Sequence, residues 1–164
     1  GLGHLGVQYA RAMGYEVVAV SRGAAKEEFA RQLGAHHYVD SGRDDFVEAM
    51  QSLGGARVIL ATAPNAKAIS QLVPGLGIEG SLVIVGAPFD PLEISAIDLI
   101  SMARRVQGWP SGTATDSTDA VAFAQEHGVQ PMIETFPLEE AQTAFQRMMS
   151  GEARFRAVLE IIPD

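Results

Sequence analysis

The sequence contains no cysteine among its 164 residues. Disulfide bonds and thiolate metal sites are therefore excluded within this chain. There is also no apolar run near the roughly 20 residues that a membrane-spanning helix needs, and no stretch resembles a signal peptide. We therefore expect a protein without a membrane anchor that works in the cytoplasm.

Basic residues are scarce: 12 lysines and arginines face 20 aspartates and glutamates, which gives a net charge of −8. Because no run of lysine or arginine interrupts this balance, we expect no nucleic-acid partner. Hydrophobic residues make up 47% of the chain, enough for the core of about one domain. The first residue is Gly1 rather than methionine, and we expect the chain to be a piece of a longer polypeptide.

Short apolar stretches alternate with stretches rich in helix-forming residues. The predicted strands are 16–20, 36–40, 57–62, 80–88 and 104–109. The predicted helices are 4–14, 24–33, 44–53, 66–76, 97–103 and 113–127. Alternation with short connections is typical of parallel strands joined by crossover helices, so we predict an α/β fold with a doubly wound parallel sheet of the Rossmann type.

The last part of the chain has a different pattern. A strand at 131–138, a helix at 139–151 and a strand at 154–161 follow one another. This unit either extends the same sheet or leaves it to join another domain, and the pattern alone allows both. We therefore place a domain boundary at residue 128, with 1–128 as one domain and 129–164 as a separate segment.

The chain opens GLGHLG, which matches the pattern G-x-G-x-x-G through Gly1, Gly3 and Gly6. In dinucleotide sites such glycines let the backbone at a helix N-terminus approach a pyrophosphate. The residue that meets the adenosine ribose follows about 20 residues later, at the end of the second strand, which here is Ser21. The interval from Gly3 suits this rule better than the shorter interval from Gly6. We therefore predict that Gly6 lies inside the helix and that the first strand of the sheet is not among these residues.

Several segments together resemble a known family, the medium-chain zinc-dependent alcohol dehydrogenases, particularly their microbial and cinnamyl-alcohol-dehydrogenase-like branches. The segments are GLGHLGVQYARAMG, RQLGAHHYVDS, GSLVIVGAP, VQGWPSGTATDS and PMIETFPLEEAQTAFQRMMSGEARFRAVLEI. The resemblance implies hydride transfer between NAD(P) and an alcohol or aldehyde. It also implies that residues 129–164 return to a catalytic domain lying outside this chain, and that the strand at 104–109 joins subunits edge to edge in a homodimer or homotetramer.

The resemblance also locates the zinc. In such enzymes the ligands of the catalytic and structural zinc ions lie in the other half of the polypeptide. We therefore predict no metal site and no catalytic residue in this chain, and we expect no dehydrogenase activity from it alone.

The end of the second strand bears on the choice of cofactor. A carboxylate there accepts hydrogen bonds from the ribose of NAD and repels the 2′-phosphate of NADP. This chain instead has Ser21, followed by Arg22 and Lys26. A hydroxyl and two cations suit a phosphate, so we predict NADP in preference to NAD. The alternative is that both cations are ordinary solvated charges.

The remaining cofactor candidates come from the opening turn and from the ends of later strands, where open α/β sheets bind ligands. By resemblance, the residues after the fourth strand lie beside the nicotinamide, and an arginine near the end of the chain reaches the pyrophosphate. His4 either touches a phosphate or has a capping or packing role. The candidates are Gly1, Leu2, Gly3, His4, Ser21, Arg22, Lys26, Thr62, Ala63, Val85, Gly86, Ala87, Gly108, Trp109, Ser111 and Arg156.

Two other functions remain open. One is a zinc-independent, quinone-reductase-like member of the same superfamily, which only residues outside this chain would distinguish. The other is a nucleotide-sensing module without catalysis. Such modules usually carry an acidic residue at the ribose position and lack a closing strand-helix-strand unit, so Ser21 and the segment 129–164 argue against this hypothesis.

Overall fold

The computed structural model describes residues 1–161, which contain seven α-helices and seven β-strands. The helices are α1 (Leu2–Ala12), α2 (Glu27–Gln32), α3 (Phe46–Ser52), α4 (Ala66–Ser70), α5 (Ala96–Ile100), α6 (Ala114–His127) and α7 (Ala141–Met149). The strands are β1 (Val18–Ser21), β2 (His37–Asp40), β3 (Ala56–Ala61), β4 (Leu76–Ile84), β5 (Arg105–Gly108), β6 (Ile133–Pro137) and β7 (Arg156–Glu160). Short 3₁₀ turns lie at Ala24–Lys26, Val73–Gly75 and Leu138–Glu140.

All strand pairs in this part of the chain are parallel. Strand β1 pairs with β2, and β3, β4 and β5 form a three-stranded sheet in that order. Helices cross over between successive strands, which confirms the predicted doubly wound α/β fold. Within residues 1–161 no strand pairs with the second edge of β1 or of β3. A doubly wound sheet has its first strand between these two edges, so that strand is not among the described residues, as predicted.

The closing unit forms a sheet of its own. Strands β6 and β7 are parallel, with Ile133 opposite Arg156 and Pro137 opposite Glu160, and α7 packs against them. Within the described residues, neither strand extends one of the other sheets. The domain boundary at residue 128 stays a prediction.

Helix ends follow from local side chains. Asp45 and Asn65 cap α3 and α4 by accepting hydrogen bonds from Glu48 and Ala68 backbone N–H groups, each at 2.9 Å. These bonds satisfy donors that the first turn of a helix leaves free. Helix α6 ends at Gly128, whose left-handed backbone (φ 70°) has little cost for glycine.

The buried core lies between α4 and the strands β3 and β4. It consists of Ala61, Ile69, Val73, Leu76 and Leu82, of which Leu76 and Leu82 are completely inaccessible to solvent. Burying a leucine or isoleucine contributes about 1.5–3 kcal/mol, so this cluster stabilises the packing of α4 on β3 and β4. The helices of residues 1–161 include none long and apolar enough to cross a membrane.

The predicted helix 66–76 is wrong in its second half. Helix α4 ends at Ser70, and a 3₁₀ turn that contains Pro74 replaces the rest. Proline has no N–H to continue the hydrogen-bond ladder of an α-helix. Strand β4 then begins at Leu76, four residues earlier than predicted, with an irregularity in its pairing between Ala56 and Val58.

Candidate functional site

Helix α1 packs on strand β3 and starts at that strand's carboxyl end. Gly6 lies inside α1, as predicted, and a Cβ added to it would be 3.3 Å from Leu60 Cδ2. One turn earlier, a Cβ on Gly3 would be 3.4 Å from Thr62 Oγ1. The absence of side chains at both glycines lets the helix approach the sheet closely, so its first backbone N–H groups lie beside Thr62.

The carboxyl ends of three strands are level with one another. Ala61, Ile84 and Gly108 are aligned across β3, β4 and β5. Val85 and Gly86 both donate backbone N–H groups to the Ala61 carbonyl, at 3.1 and 3.0 Å. The candidate residues that follow these strands therefore share one edge of the sheet, the edge where open α/β sheets bind ligands.

Gly86 has no room for a side chain. A Cβ there would lie 2.7 Å from the carbonyl oxygen of Thr62 and 2.9 Å from the carbonyl carbon of Ala63. Both atoms are backbone and cannot rotate away. Glycine thus lets the chain after β4 pass directly against the chain after β3, which brings these candidates together.

Arg156 comes to this edge from the far end of the chain. Its guanidinium lies over Gly1, where a Cβ would be 3.3 Å from both Arg156 Cζ and Arg156 Nε. In the described part of the chain, no side chain pairs with this guanidinium in a hydrogen bond or ion pair. A cation therefore stands above the N-terminal end of α1, which itself carries a partial positive charge. Both features favour an anion at this place.

The ring of His4 faces inward, and only 5% of the residue is exposed. Its Nε2 accepts a hydrogen bond from the Met132 backbone N–H at 3.0 Å, and its Nδ1 donates to the Gly1 carbonyl at 2.6 Å. Burial lowers the pKa of His4, since the charged ring would lose water, and the nearby Arg156 guanidinium lowers it further. His4 is therefore neutral at pH 7, with both ring nitrogens occupied by backbone groups.

A second cluster of candidates lies where β1 ends. Lys26 Nζ donates to Ser21 Oγ at 3.3 Å. The stem of Arg22 lies along the turn after β2, since a Cβ on Gly42 would be 3.4 Å from Arg22 Cγ. The structure thus places Lys26 on the Ser21 hydroxyl, while the Arg22 side chain runs along the neighbouring turn.

Asp40 holds the two turns that carry this cluster. It is 6% exposed, and its Oδ1 accepts backbone N–H bonds from Gly23 at 2.8 Å and Gly42 at 3.0 Å. These two bonds hold the pKa of Asp40 below its usual range. Asp40 thus caps both turns.

The candidates farther along the edge are more open. Trp109 is 62% exposed, and Gly108 and Ser111 are also exposed. Ala87 lines an open cleft of about 440 Å³ between the turn after β3 and the loop after β4. Phe89, fully exposed, lies on the rim of this cleft. The structure places these residues at the predicted edge but shows no tight contacts between them and the opening turn.

Histidines and carboxylates do not gather into a metal site. Among residues 1–161 no group of three or more His, Asp or Glu side chains is placed to hold a metal ion. His36 accepts the Val17 N–H through Nδ1, and His37 Nε2 lies 2.8 Å from Glu16 Oε1. The neighbouring histidines therefore bind separate partners.

Sequence reasoning missed the contacts that attach the closing segment to α1. The Gln8 side chain forms two hydrogen bonds with the backbone of Gln130, at 3.0 and 3.1 Å. Phe155 stacks on His4 with ring centroids 4.6 Å apart. The sequence carries one signal for this contact. His4 and Gln8 lie four residues apart, hence on the same face of the helix, where they form a polar stripe.

Comparisons with known proteins agree with this geometry. A family model described as zinc-binding dehydrogenase matches residues 1–126. The chain is 50% identical to alcohol dehydrogenase patD of Penicillium expansum over 159 residues, which are 97% of this chain and 46% of that protein. Among solved structures, the alcohol dehydrogenase of Aeropyrum pernix superposes with a TM-score of 0.87 at 30% identity, covering 99% of this chain and 47% of that one.

A cinnamyl alcohol dehydrogenase of Sorghum bicolor superposes with a TM-score of 0.84 at 32% identity, covering 96% of this chain and 44% of that one. The chain thus spans about half the length of the relatives it matches.

Proposed function

This chain belongs to the zinc-binding dehydrogenase family, and from that premise we propose that it is the cofactor-binding part of an enzyme that transfers hydride between NAD(P) and an alcohol or aldehyde. The chemical class of the substrate comes from the names of the relatives. The residues of this chain indicate where the cofactor lies.

The observation that carries the proposal is the pairing of Arg156 with the first turn of α1. A pyrophosphate carries negative charge on several oxygens, and it needs both donors and cations in reach. The N-terminal amides of an eleven-residue helix supply donors, and the Arg156 guanidinium above Gly1 supplies a cation with several N–H groups. Because Gly1 and Gly3 have no side chains, none stands between these backbone donors and the guanidinium.

The dinucleotide would extend in two directions from this point. Its adenosine end would lie toward Ser21, at the end of β1, and its nicotinamide end toward Thr62, Val85 and Gly86. At Gly86 the chain passes closely against Thr62, so backbone atoms of both segments meet there. When bound, the nicotinamide supplies the site that accepts or donates the hydride. The residues of this chain bind and orient the cofactor and keep water from one of its faces.

The described residues of this chain do not fit a zinc ion. The chain contains no cysteine, and within residues 1–161 no suitable group of side chains comes together. The family name implies a metal, but these residues do not fit one. We therefore derive no step of the reaction through zinc.

We further propose that the cofactor is NADP rather than NAD. Ser21 brings no negative charge to the ribose position, and Lys26 already reaches its hydroxyl. The carboxylate nearest in register is already engaged: Asp40 lies opposite Ser21 in the β1–β2 ladder, and its Oδ1 accepts hydrogen bonds from two backbone N–H groups. Arg22 and Lys26 are then the charges that meet a 2′-phosphate.

The experiment is a calorimetric titration of the full-length protein with NADP⁺ and with NAD⁺. We expect NADP⁺ to bind more tightly and Ser21→Asp to weaken NADP⁺ binding by at least about tenfold. The reason is that two unit charges 4 Å apart interact by about 4 kcal/mol at an effective dielectric constant near 20.

Ser52→Asp is the matched control. It adds the same charge at the last residue of α3, the end that precedes β3, which is the side of the sheet opposite the predicted site. Tighter binding of NAD⁺ by the parent protein would overturn the NADP assignment. Binding of neither nucleotide would overturn the proposed function itself.

We also propose that β5 joins subunits. Strand β5 pairs with β4 on one side, and no strand among residues 1–161 pairs with its other edge. The exposed side chains of Ile97, Ile100 and Trp109 adjoin it in sequence. Light scattering of the full-length protein is expected to give a dimer or tetramer, and a monomer would contradict this assignment.

A further inference from the structure

We propose that His4 is a positioning residue: through the backbone of Met132 it holds Arg156 over the first turn of α1, where Arg156 binds the pyrophosphate of the cofactor. The inference rests on the proposed function for its ligand. The connection between His4 and Arg156 is a property of this chain alone.

The connection runs through both backbone groups of one residue. The Met132 N–H donates to His4 Nε2 at 3.0 Å. The Met132 carbonyl accepts the N–H groups of Phe155 and Arg156, at 3.0 and 3.2 Å. Met132 is thus held by His4 through its N–H group and holds the strand that carries Arg156 through its carbonyl group.

Two further contacts of His4 connect it to Gly1 and to Phe155. Its Nδ1–H donates to the Gly1 carbonyl at 2.6 Å, and its ring stacks on Phe155 with an interplanar angle of 19°. Gly1 is the residue that the Arg156 guanidinium covers. His4 therefore touches the helix end, the neighbour of Arg156 and the backbone that anchors Arg156, while its own nitrogens have no capacity left for a phosphate.

Gln8 provides an internal comparison. It lies one turn along the same helix face, and its side chain forms two hydrogen bonds with Gln130. In the described part of the chain, Gln130 forms no hydrogen bond with the strand that carries Arg156. Loss of Gln8 therefore loosens the attachment of the segment without breaking the connection to Arg156.

The experiment is a double-mutant cycle on the full-length protein. The variants are His4→Phe, which keeps a ring against Phe155 but removes the acceptor, Arg156→Met, and the double variant. The readouts are the Kd of NADP⁺ from calorimetry, and kcat and KM for the cofactor. Gln8→Leu is the matched control, because it removes two hydrogen bonds to the same segment.

We expect Arg156→Met to raise the Kd about ten- to a hundredfold, as for a hydrogen bond to a charged group. His4→Phe should raise the Kd about three- to tenfold in the parent and less than about twofold in the Arg156→Met background. KM for the cofactor should rise while kcat stays within about twofold, since binding common to ground and transition states is lost. Gln8→Leu should leave the Kd within about twofold.

His4→Gln tests rescue, because a glutamine Oε1 can replace Nε2 as the acceptor for the Met132 N–H. We expect its Kd to lie closer to the parent than that of His4→Phe. Hydrogen exchange gives a readout that needs no cofactor: the Met132 and Arg156 amides should exchange faster in His4→Phe and be protected again in His4→Gln.

The outcomes separate the two proposals. Equal effects of His4→Phe in both backgrounds would overturn the positioning role and leave the proposed function standing. Unchanged exchange at Met132 and Arg156 in His4→Phe would also overturn it, whatever the affinity for NADP⁺. If the parent binds no dinucleotide, the proposed function and the ligand assigned to Arg156 both fail, even where the exchange data show that His4 holds the strand.

Discussion

Replacing Gly86 with alanine tests whether the chain after β4 lies directly against the chain after β3. The new Cβ would stand 2.7 Å from the Thr62 carbonyl oxygen, 2.8 Å from the Thr62 carbonyl carbon and 2.9 Å from the carbonyl carbon of Ala63. These three atoms belong to the backbone of the residues that directly follow the buried Ala61. No side-chain rotation relieves the overlap, so the two strand ends must separate.

The size of the effect follows from overpacking. Inserting a methyl group into a closely packed place costs about 1–3 kcal/mol. Since all three contacts are shorter than 3.0 Å, we expect the upper part of this range, about 2–3 kcal/mol. Cofactor affinity should fall as well, because Thr62 and Ala63 are displaced from the edge where the nicotinamide end would bind.

Urea denaturation of the full-length protein, followed by circular dichroism, measures the change. The free energy of unfolding is taken from the shift in midpoint at constant slope. Gly108→Ala is the matched control, since a Cβ at Gly108 meets nothing within 4 Å and that residue also ends a strand. We expect the control to lie within about 0.5 kcal/mol of the parent. Equal midpoints for Gly86→Ala and Gly108→Ala would refute the close approach.

Three further predictions concern protonation and helix capping. The folded pKa of His4 is lowered, so the stability that its neutral ring contributes is present above about pH 6.5 and is lost as the pH falls. This loss is at most about 1.4 kcal/mol per pH unit. Urea midpoints measured between pH 7 and 5 should therefore fall more steeply in the parent protein than in His4→Gln. The pKa of Asp40 is also lowered, so the stability that its carboxylate contributes is present above about pH 3.9 and is lost at lower pH. In Asp40→Asn the urea midpoint should therefore fall less steeply as the solution is acidified. An unchanged fall would argue against the hydrogen bonds of Asp40 to the two turns. Thr113 caps α6 together with Asp116, so Thr113→Ala should destabilise that helix by about 1 kcal/mol. The effect is measured as faster hydrogen exchange in the first turn of α6. An equal effect of Thr115→Ala, the control variant, would show that the cap is not responsible.

Much of the sheet could be predicted from the sequence because its signals are local. Strand β1 ends at Ser21, as the apolar run EVVAV and the polar residues after it indicate. Helix α6 begins after Thr113 and ends at Gly128, two positions whose chemistry marks helix ends. The clustering of Lys26 with Ser21 follows from the turn that joins β1 to α2.

Other features depend on groups that a sequence pattern does not display. The attachment of the closing segment rests on backbone N–H and carbonyl groups of Gln130 and Met132, which every residue except proline carries. The identity of these residues therefore does not indicate that the closing segment contacts α1. The sequence leaves His4 open between phosphate binding and packing because Met132, whose N–H occupies the His4 Nε2, lies 128 residues away. The end of helix α4 at Ser70, four residues before Pro74, is by contrast a feature that local sequence reasoning can predict.

The position of the cofactor is tested most directly by hydrogen exchange of the full-length protein with and without saturating NADP⁺. The account predicts that binding slows exchange at the amides of Leu2, Gly3 and His4 and in the strand end that carries Arg156, together with the turn at Ser21. Saturable binding that leaves these amides unchanged and protects residues elsewhere would contradict it.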